Sequence, residues 1–280
     1  MNGSLWLAWS ADATALVGIP LAAILYARGL RSLGDRRRFH GTWRPAAFYA
    51  GLAAVFAALV SPLDALSSEL FLAHMGQHML LIYVAVPAIH LGAPVIPILR
   101  GIPRPIRRGF IAPTLRSRPV RAALKFFFRP LIAWPLFTGT LVLWHFPFAY
   151  EAALDNEFVH TVEHLAFALG AYVWWWNVID PTPLRASLSY LARAPFVFVT
   201  SVPNFVLGAF LTFAPEAWYA PYAATAPAYG FSALEDQQLG GLIMWIPGSF
   251  IIAATLLLTL AYAVRSEQLA QLRRERETGG

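Results

Sequence analysis

The amino-acid sequence reads as an all-α polytopic membrane protein. We expect a seven-transmembrane helix bundle with its N-terminus outside and its C-terminus cytoplasmic. Composition comes first. Hydrophobic residues make up 58% of the 280, Asp, Glu, Lys and Arg together only 13%, and the mean hydropathy is +0.55. A soluble domain runs at about 45–50% apolar and about 25% charged. The same numbers exclude disorder. Second, seven apolar stretches approach the ~20 residues a bilayer requires. Third, all 21 Lys and Arg fall in alternate connections between those stretches. The positive-inside rule then fixes the orientation, and opposite-facing termini need an odd number of spans.

The stretches are, in order, Ser10–Arg28, Pro45–Val60, Leu70–His90, Leu131–Phe148, Val159–Ile179, Pro195–Ala214 and Leu239–Val264. They form one membrane domain over residues 1–280, with a long cytoplasmic loop at 92–130 and a cytoplasmic tail at 265–280. The first stretch has no basic region before it and reads as a span, not a cleaved leader. The second is short for a bilayer and is expected to extend to Leu66. Its inner flank carries Arg28, Arg31, Arg36, Arg37, Arg38 and Arg44. In the long loop, Arg118–Arg129 mixes Arg121, Lys125 and Arg129 with Leu124 and Phe126–Phe128, the pattern of a short helix lying on an anionic inner leaflet. Pro203-Asn204 is expected to kink the sixth span. The acids show the reverse bias. Asp12, Asp64, Glu69, Glu151, Asp155, Glu157, Glu216, Glu235 and Asp236 all fall outside, where their field attracts cations. Because topology accounts for the basic charge, nucleic-acid binding is not indicated. There are no cysteines, which excludes disulfides and thiolate metal sites.

The seven histidines sort by depth. His40 and His90 fall on the cytoplasmic side and read as structural. His74 and His78 lie in the first two turns of the third span, His145 at the outer end of the fourth, and His160 and His164 in the first two turns of the fifth. Both pairs are spaced i, i+4, so each shares one helix face about 6 Å apart along the axis. That spacing lets two imidazoles grip one metal ion, with His145 able to complete the set. Ionisable groups in a membrane are costly and mark function. Imidazole suits copper, zinc, iron and nickel alike, so these ligands leave the element open. Glu163 keeps to the His160/His164 face as a ligand, an orienting carboxylate or a proton carrier. Met75 and Met79 flank the first pair with soft thioethers. Asp64, Glu69 and Asp236 flank the outer mouth, to capture cations or, for Asp236, to begin the last span as its N-cap. The stretch HTVEH, His160–His164, also matches the short H-x-x-E-H pattern of one metalloprotease class. The alternative is therefore a seven-span zinc hydrolase with Glu163 as general base.

The run SPLDALSSELFLAHMGQHMLLIYVAVPAIHLGAPV, Ser61–Val95, resembles the multi-spanning CtaG family of cytochrome c oxidase assembly proteins. So do WHFPFAYEAAL, Trp144–Leu154, the following HTVEH with Trp174–Trp176, and GFSALEDQQLGGLIMWIPG, Gly230–Gly248. The resemblance runs from the second span to the seventh. It implies a multi-pass protein of the bacterial cytoplasmic (inner) membrane needed for active caa(3)-type oxidase. It also implies a part in supplying the copper beside the high-spin haem. It carries His74, Met75, His78, Met79, His145, His160, His164 and Asp236 into the family pattern. The expected function is thus a non-enzymatic metallochaperone holding copper. Its expected partners are an oxidase subunit or other oxidase assembly proteins, besides the lipid bilayer.

Overall fold

A computed structural model describes residues 8–34, 40–180 and 182–278. Arg36, Arg37 and Arg38 of the first basic connection lie outside the described residues. Most of those described are helical, with no strand among them.

Helix α1 (Ala13–Ser32) is capped by Asp12, which accepts from the Ala15 N–H. Helix α2 (Arg44–Leu59) is followed by a separate short helix, α3 (Pro62–Ser67). The second apolar stretch therefore does not run on to Leu66 as one helix. Ser61 accepts from the Leu63 N–H and Pro62 takes the first helical position, both helix-starting signals. Helix α4 (Phe71–Leu91) contains a π turn at Leu81–Ala85. Pro87 explains part of that turn: it has no N–H to offer the Ile82 carbonyl. The Trp175 indole N–H donates to that carbonyl instead, at 2.8 Å.

The long loop is largely helical. Helix α5 (Val95–Gly101) packs on α1, and short turns lead to α6 (Arg118–Phe127), the expected amphipathic helix. Then come α7 (Pro130–Trp144), α8 (Pro147–Asp155), α9 (Glu157–Trp176), α10 (Tyr190–Thr212) and α11 (Ala233–Thr278). Helix α10 is assigned as one helix through Pro195 and Pro203. Between α9 and α10, Asp180 holds Arg193 at 2.6 Å and accepts from the Tyr190 hydroxyl at 2.6 Å. Partial burial pushes the Asp180 carboxyl up, but these hydrogen bonds and the Arg193 charge hold it below the usual carboxylate range.

Among the described residues four helices are long and apolar enough to cross a membrane: α1, α4, α10 and α11. Helices α6 and α7 pass that test together but meet at 67°, which makes five if the bent pair is one span. Helix α2 is too short at 16 residues. Helix α9 has 20 residues, but Glu157, His160, Glu163 and His164 dilute its apolarity.

Helix α4 is the hub. Of its apolar window 61% is buried, against 22% for α1 and for α11. It packs on α2, α3, α9 and α11. Glycines set the closest approaches at the other end of the molecule. A Cβ on Gly29 of α1 would lie 1.7 Å from the Pro97 carbonyl oxygen, and one on Gly101 of α5 would lie 1.9 Å from the Leu25 oxygen. Gly29→Ala must push α1 off α5, at a cost of about 1–3 kcal/mol. A lower melting temperature of purified Gly29→Ala protein is expected. Gly18→Ala is the control, because a Cβ there meets nothing within 4 Å.

Candidate metal centre

Both histidine pairs are placed by the starts of their helices. Helix α9 begins at Asn156, whose side chain accepts from the Phe158 and Val159 N–H groups at 2.9 and 3.2 Å. Helix α4 begins at Leu70, which makes no side-chain cap. Its cap comes from α11: Asp236 accepts from the Phe71 N–H at 2.7 Å and the Leu72 N–H at 3.0 Å. Each helix thus starts three residues before its first histidine, and the second follows one turn later.

The two helices bring four imidazoles together. Ring centroids lie 4.4 Å apart for His74–His78, 4.2 Å for His160–His164, 5.7 Å for His74–His160 and 5.6 Å for His78–His164. Glu163 is fully buried among them. Its Oε1 lies 3.7 Å from His74 Nε2 and 3.8 Å from His78 Nε2. These separations are too long for hydrogen bonds. They are close to the roughly 3.4 Å between two ligands of one tetrahedral ion at about 2.1 Å. One ligand atom from each of His74, His160 and Glu163 falls within 4.8 Å of the others.

Hydrogen bonding points the same way. Eleven buried side-chain polar atoms among the described residues have no hydrogen-bond partner, and nine belong to His74, His78, His145, His160, His164 and Glu163. Each such atom costs about 1–3 kcal/mol. Packing does not gather nine of them in one neighbourhood, whereas a cation would satisfy several at once. Donor type and spacing therefore fit a metal ion.

The other expected residues divide. His145 follows the last residue of α7, with Nδ1 bonded to the Leu141 carbonyl at 2.7 Å and its ring edge-on to Phe167 at 6.3 Å. That phenyl ring also touches His78, at 4.4 Å. Met75 and Met79 are buried in the core with His78. Asp236 is fully buried. It neither lines an open mouth nor caps its own helix; Ser232 and Glu235 form the capping box of α11. Asp64 accepts from Gln77 Nε2 at 2.6 Å. His160 is only partly buried, and the charges of Asp64 and Asp12 act on it.

Reading by span missed a tyrosine wall. Tyr150 on α8 packs its ring 4.9 Å from His74, and its hydroxyl lies 2.7 Å from the Tyr222 hydroxyl, which donates to the Ser67 carbonyl. Tyr219 stacks on Phe71 and donates to the His145 carbonyl. The available signal was Tyr150 itself, set between His145 and His160 in WHFPFAYEAAL.

A family described as cytochrome c oxidase caa3 assembly factor (Caa3_CtaG) matches residues 24–266. An uncharacterized protein of Mycobacterium bovis and one of Mycobacterium tuberculosis are each 27% identical over 246 residues, covering 85% of this chain and 36% of theirs. An uncharacterized protein of Mycobacterium leprae is 24% identical over 252 residues, covering 86% of this chain and 37% of its own. The chain therefore spans little more than a third of the length of these curated relatives. No solved structure gives a significant match.

Proposed function

Because the chain belongs to the family of cytochrome c oxidase caa3 assembly factors, we propose that it binds copper as cargo. His74, His78, His160, His164 and Glu163 hold the ion for delivery to an oxidase subunit or another oxidase assembly protein. One observation carries this reading: in a cluster of four imidazoles and a carboxylate, eight of the ten ring nitrogens and carboxylate oxygens are buried without a protein partner.

In this reading the chain crosses the bacterial inner membrane seven times. The four long apolar helices supply four spans, and α2, α7 and α9 supply the rest. The N-terminal ends of α4 and α9 then face outward, where the acids are. Asp12 and Asp64 raise the local cation concentration. His160, the most accessible imidazole, meets the ion first, and the pairs on α4 and α9 then hold it. Without thiolates in the set, release remains easy. The role is that of an assembly factor and not of an enzyme. The zinc-hydrolase alternative gains no support from the family match, and Glu163 is buried away from the bulk water a hydrolase would activate.

The test is metal analysis with X-ray absorption on the purified full chain after loading with Cu(II). About one Cu(II) per chain in a nitrogen and oxygen shell is expected. Failure to retain Cu(II), or selective retention of zinc from an equimolar mixture, overturns the reading.

A further inference from the structure

Beside the histidine cluster is a small buried chamber with about 10 Å³ of free room. Met75, Met79, Met244, His78, His145 and Asn204 line it, all of them buried. The sequence contains four methionines. Every one except Met1 lines this chamber. Met75 and Met79 share a face of α4 by their i, i+4 spacing. Met244 arrives from α11 and His145 from the end of α7. Three separate elements thus bring thioether and imidazole side chains to one chamber.

His145 is poised as a ligand. Its Nδ1 lies 2.7 Å from the Leu141 carbonyl. A carbonyl only accepts, so Nδ1 carries the proton and Nε2 keeps its lone pair. That Nε2 is buried without a partner. This is the arrangement of metal-binding histidines, in which one ring nitrogen is tied back and the other is free to coordinate.

We propose that this chamber is a second metal site, selective for a soft monovalent ion and distinct from the His74–His160–Glu163 cluster. Thioether and imidazole donors favour Cu(I) over harder divalent ions. Its free room is about what one water molecule needs, so an ion entering it sheds most of its hydration shell. All its ligands are neutral, so a buried monovalent ion leaves one charge to balance, a divalent ion two. Glu163 lies 3.8 Å from His78 Nε2 and can supply the single countercharge. His78 belongs to both groups and makes the two sites contiguous. Ordinary gap filling by methionine accounts for Met75 beside Gly240 and Met79 beside Gly248. It does not account for Met244 lining the same chamber as an imidazole nitrogen without a partner.

Copper as the physiological ion rests on the function proposed above; the soft-ion site does not. The experiment titrates the purified full chain with Ag(I), and anaerobically with Cu(I) against a competing chelator, and separately with Cu(II). Wild type is compared with Met79→Leu/Met244→Leu, which conserves volume. The double variant is expected to bind one soft ion fewer per chain, or to lose at least about 100-fold in affinity for it, while Cu(II) binding is unchanged. X-ray absorption of Cu(I)-loaded wild type is expected to contain a sulfur shell that the variant lacks. Circular dichroism and elution profile establish that the variant is folded. If it is not, Met79→Leu alone is titrated, with the same loss of affinity expected. Wild-type binding in the folded variant, or a Cu(I) shell without sulfur in wild type, overturns the chamber. Loss of the chamber with Cu(II) binding intact leaves the proposed function standing, and the converse result leaves the chamber standing.

Discussion

Replacing His74 and Glu163 together by leucine is expected to abolish Cu(II) binding while making the metal-free protein harder to unfold. The two effects have one cause. The pair contributes two members of the closest ligand group. It also contributes four partnerless buried atoms: both ring nitrogens of His74 and both carboxylate oxygens of Glu163. Removing two ligands from such a set lowers affinity by at least about 100-fold, since even outer-shell changes cost about 10–100-fold. Leucine fills a similar volume without polar atoms, and apolar replacement of a buried ionisable cluster is often stabilising, by about 1–4 kcal/mol. In a bilayer the gain sits at the low end, because the unfolded reference also finds partners. The measurements are Cu(II) stoichiometry, melting temperature without metal, and caa3-type oxidase activity in cells that depend on this protein. Retained Cu(II) shows that the ligands are misassigned. Lost Cu(II) with a lower melting temperature shows that these atoms stabilise the fold and are not held for an ion. Glu163→Gln keeps the shape and removes only the charge, so its loss should be smaller, about tenfold.

Much of this centre was legible because a helix converts spacing into geometry. His74/His78 and His160/His164 repeat the same i, i+4 interval near the starts of their helices, and an imidazole does not belong in an apolar run without a reason. What the chain did not disclose was set by packing between distant segments. Phe167 lies against both His145 and His78, a contact between distant segments that local spacing does not show. Met244 sits in the apolar stretch Leu239–Val264 of α11, where periodicity does not single out the face that meets α4. Helix α9 fails as a span by hydropathy because Glu157, His160, Glu163 and His164 lie in it: such polar residues remove the signal by which a span is found. Asp236 was read as a mouth residue or a cap of its own helix, since a partner 165 residues away leaves no mark in local sequence.

That long-range cap supports the second large effect. Asp236→Ala is expected to destabilise the protein by about 3 kcal/mol or more and to weaken Cu(II) binding, although Asp236 contacts no histidine. Both carboxylate oxygens are committed to α4, one to the Phe71 N–H and one to the Leu72 N–H. A charge-assisted hydrogen bond contributes about 1.5–3 kcal/mol. The negative charge also lies at the positive end of the α4 dipole. Without it, buried N–H groups are unpaired at the first turn, three residues before His74, and fraying there shifts the imidazole that faces Glu163. Asp236→Asn should do little better. One amide oxygen can still accept, but the NH2 group then opposes the other backbone N–H, donor against donor. Glu235→Ala is the comparison. Its carboxylate serves the exposed capping box of α11, where a lost cap costs about 1 kcal/mol and α4 is untouched. Melting temperature and Cu(II) affinity should therefore separate two neighbouring acids that composition treats as alike. If Asp236→Ala matches Glu235→Ala in both, the last helix does not set the position of the first histidine, and α4 holds its register by apolar packing alone.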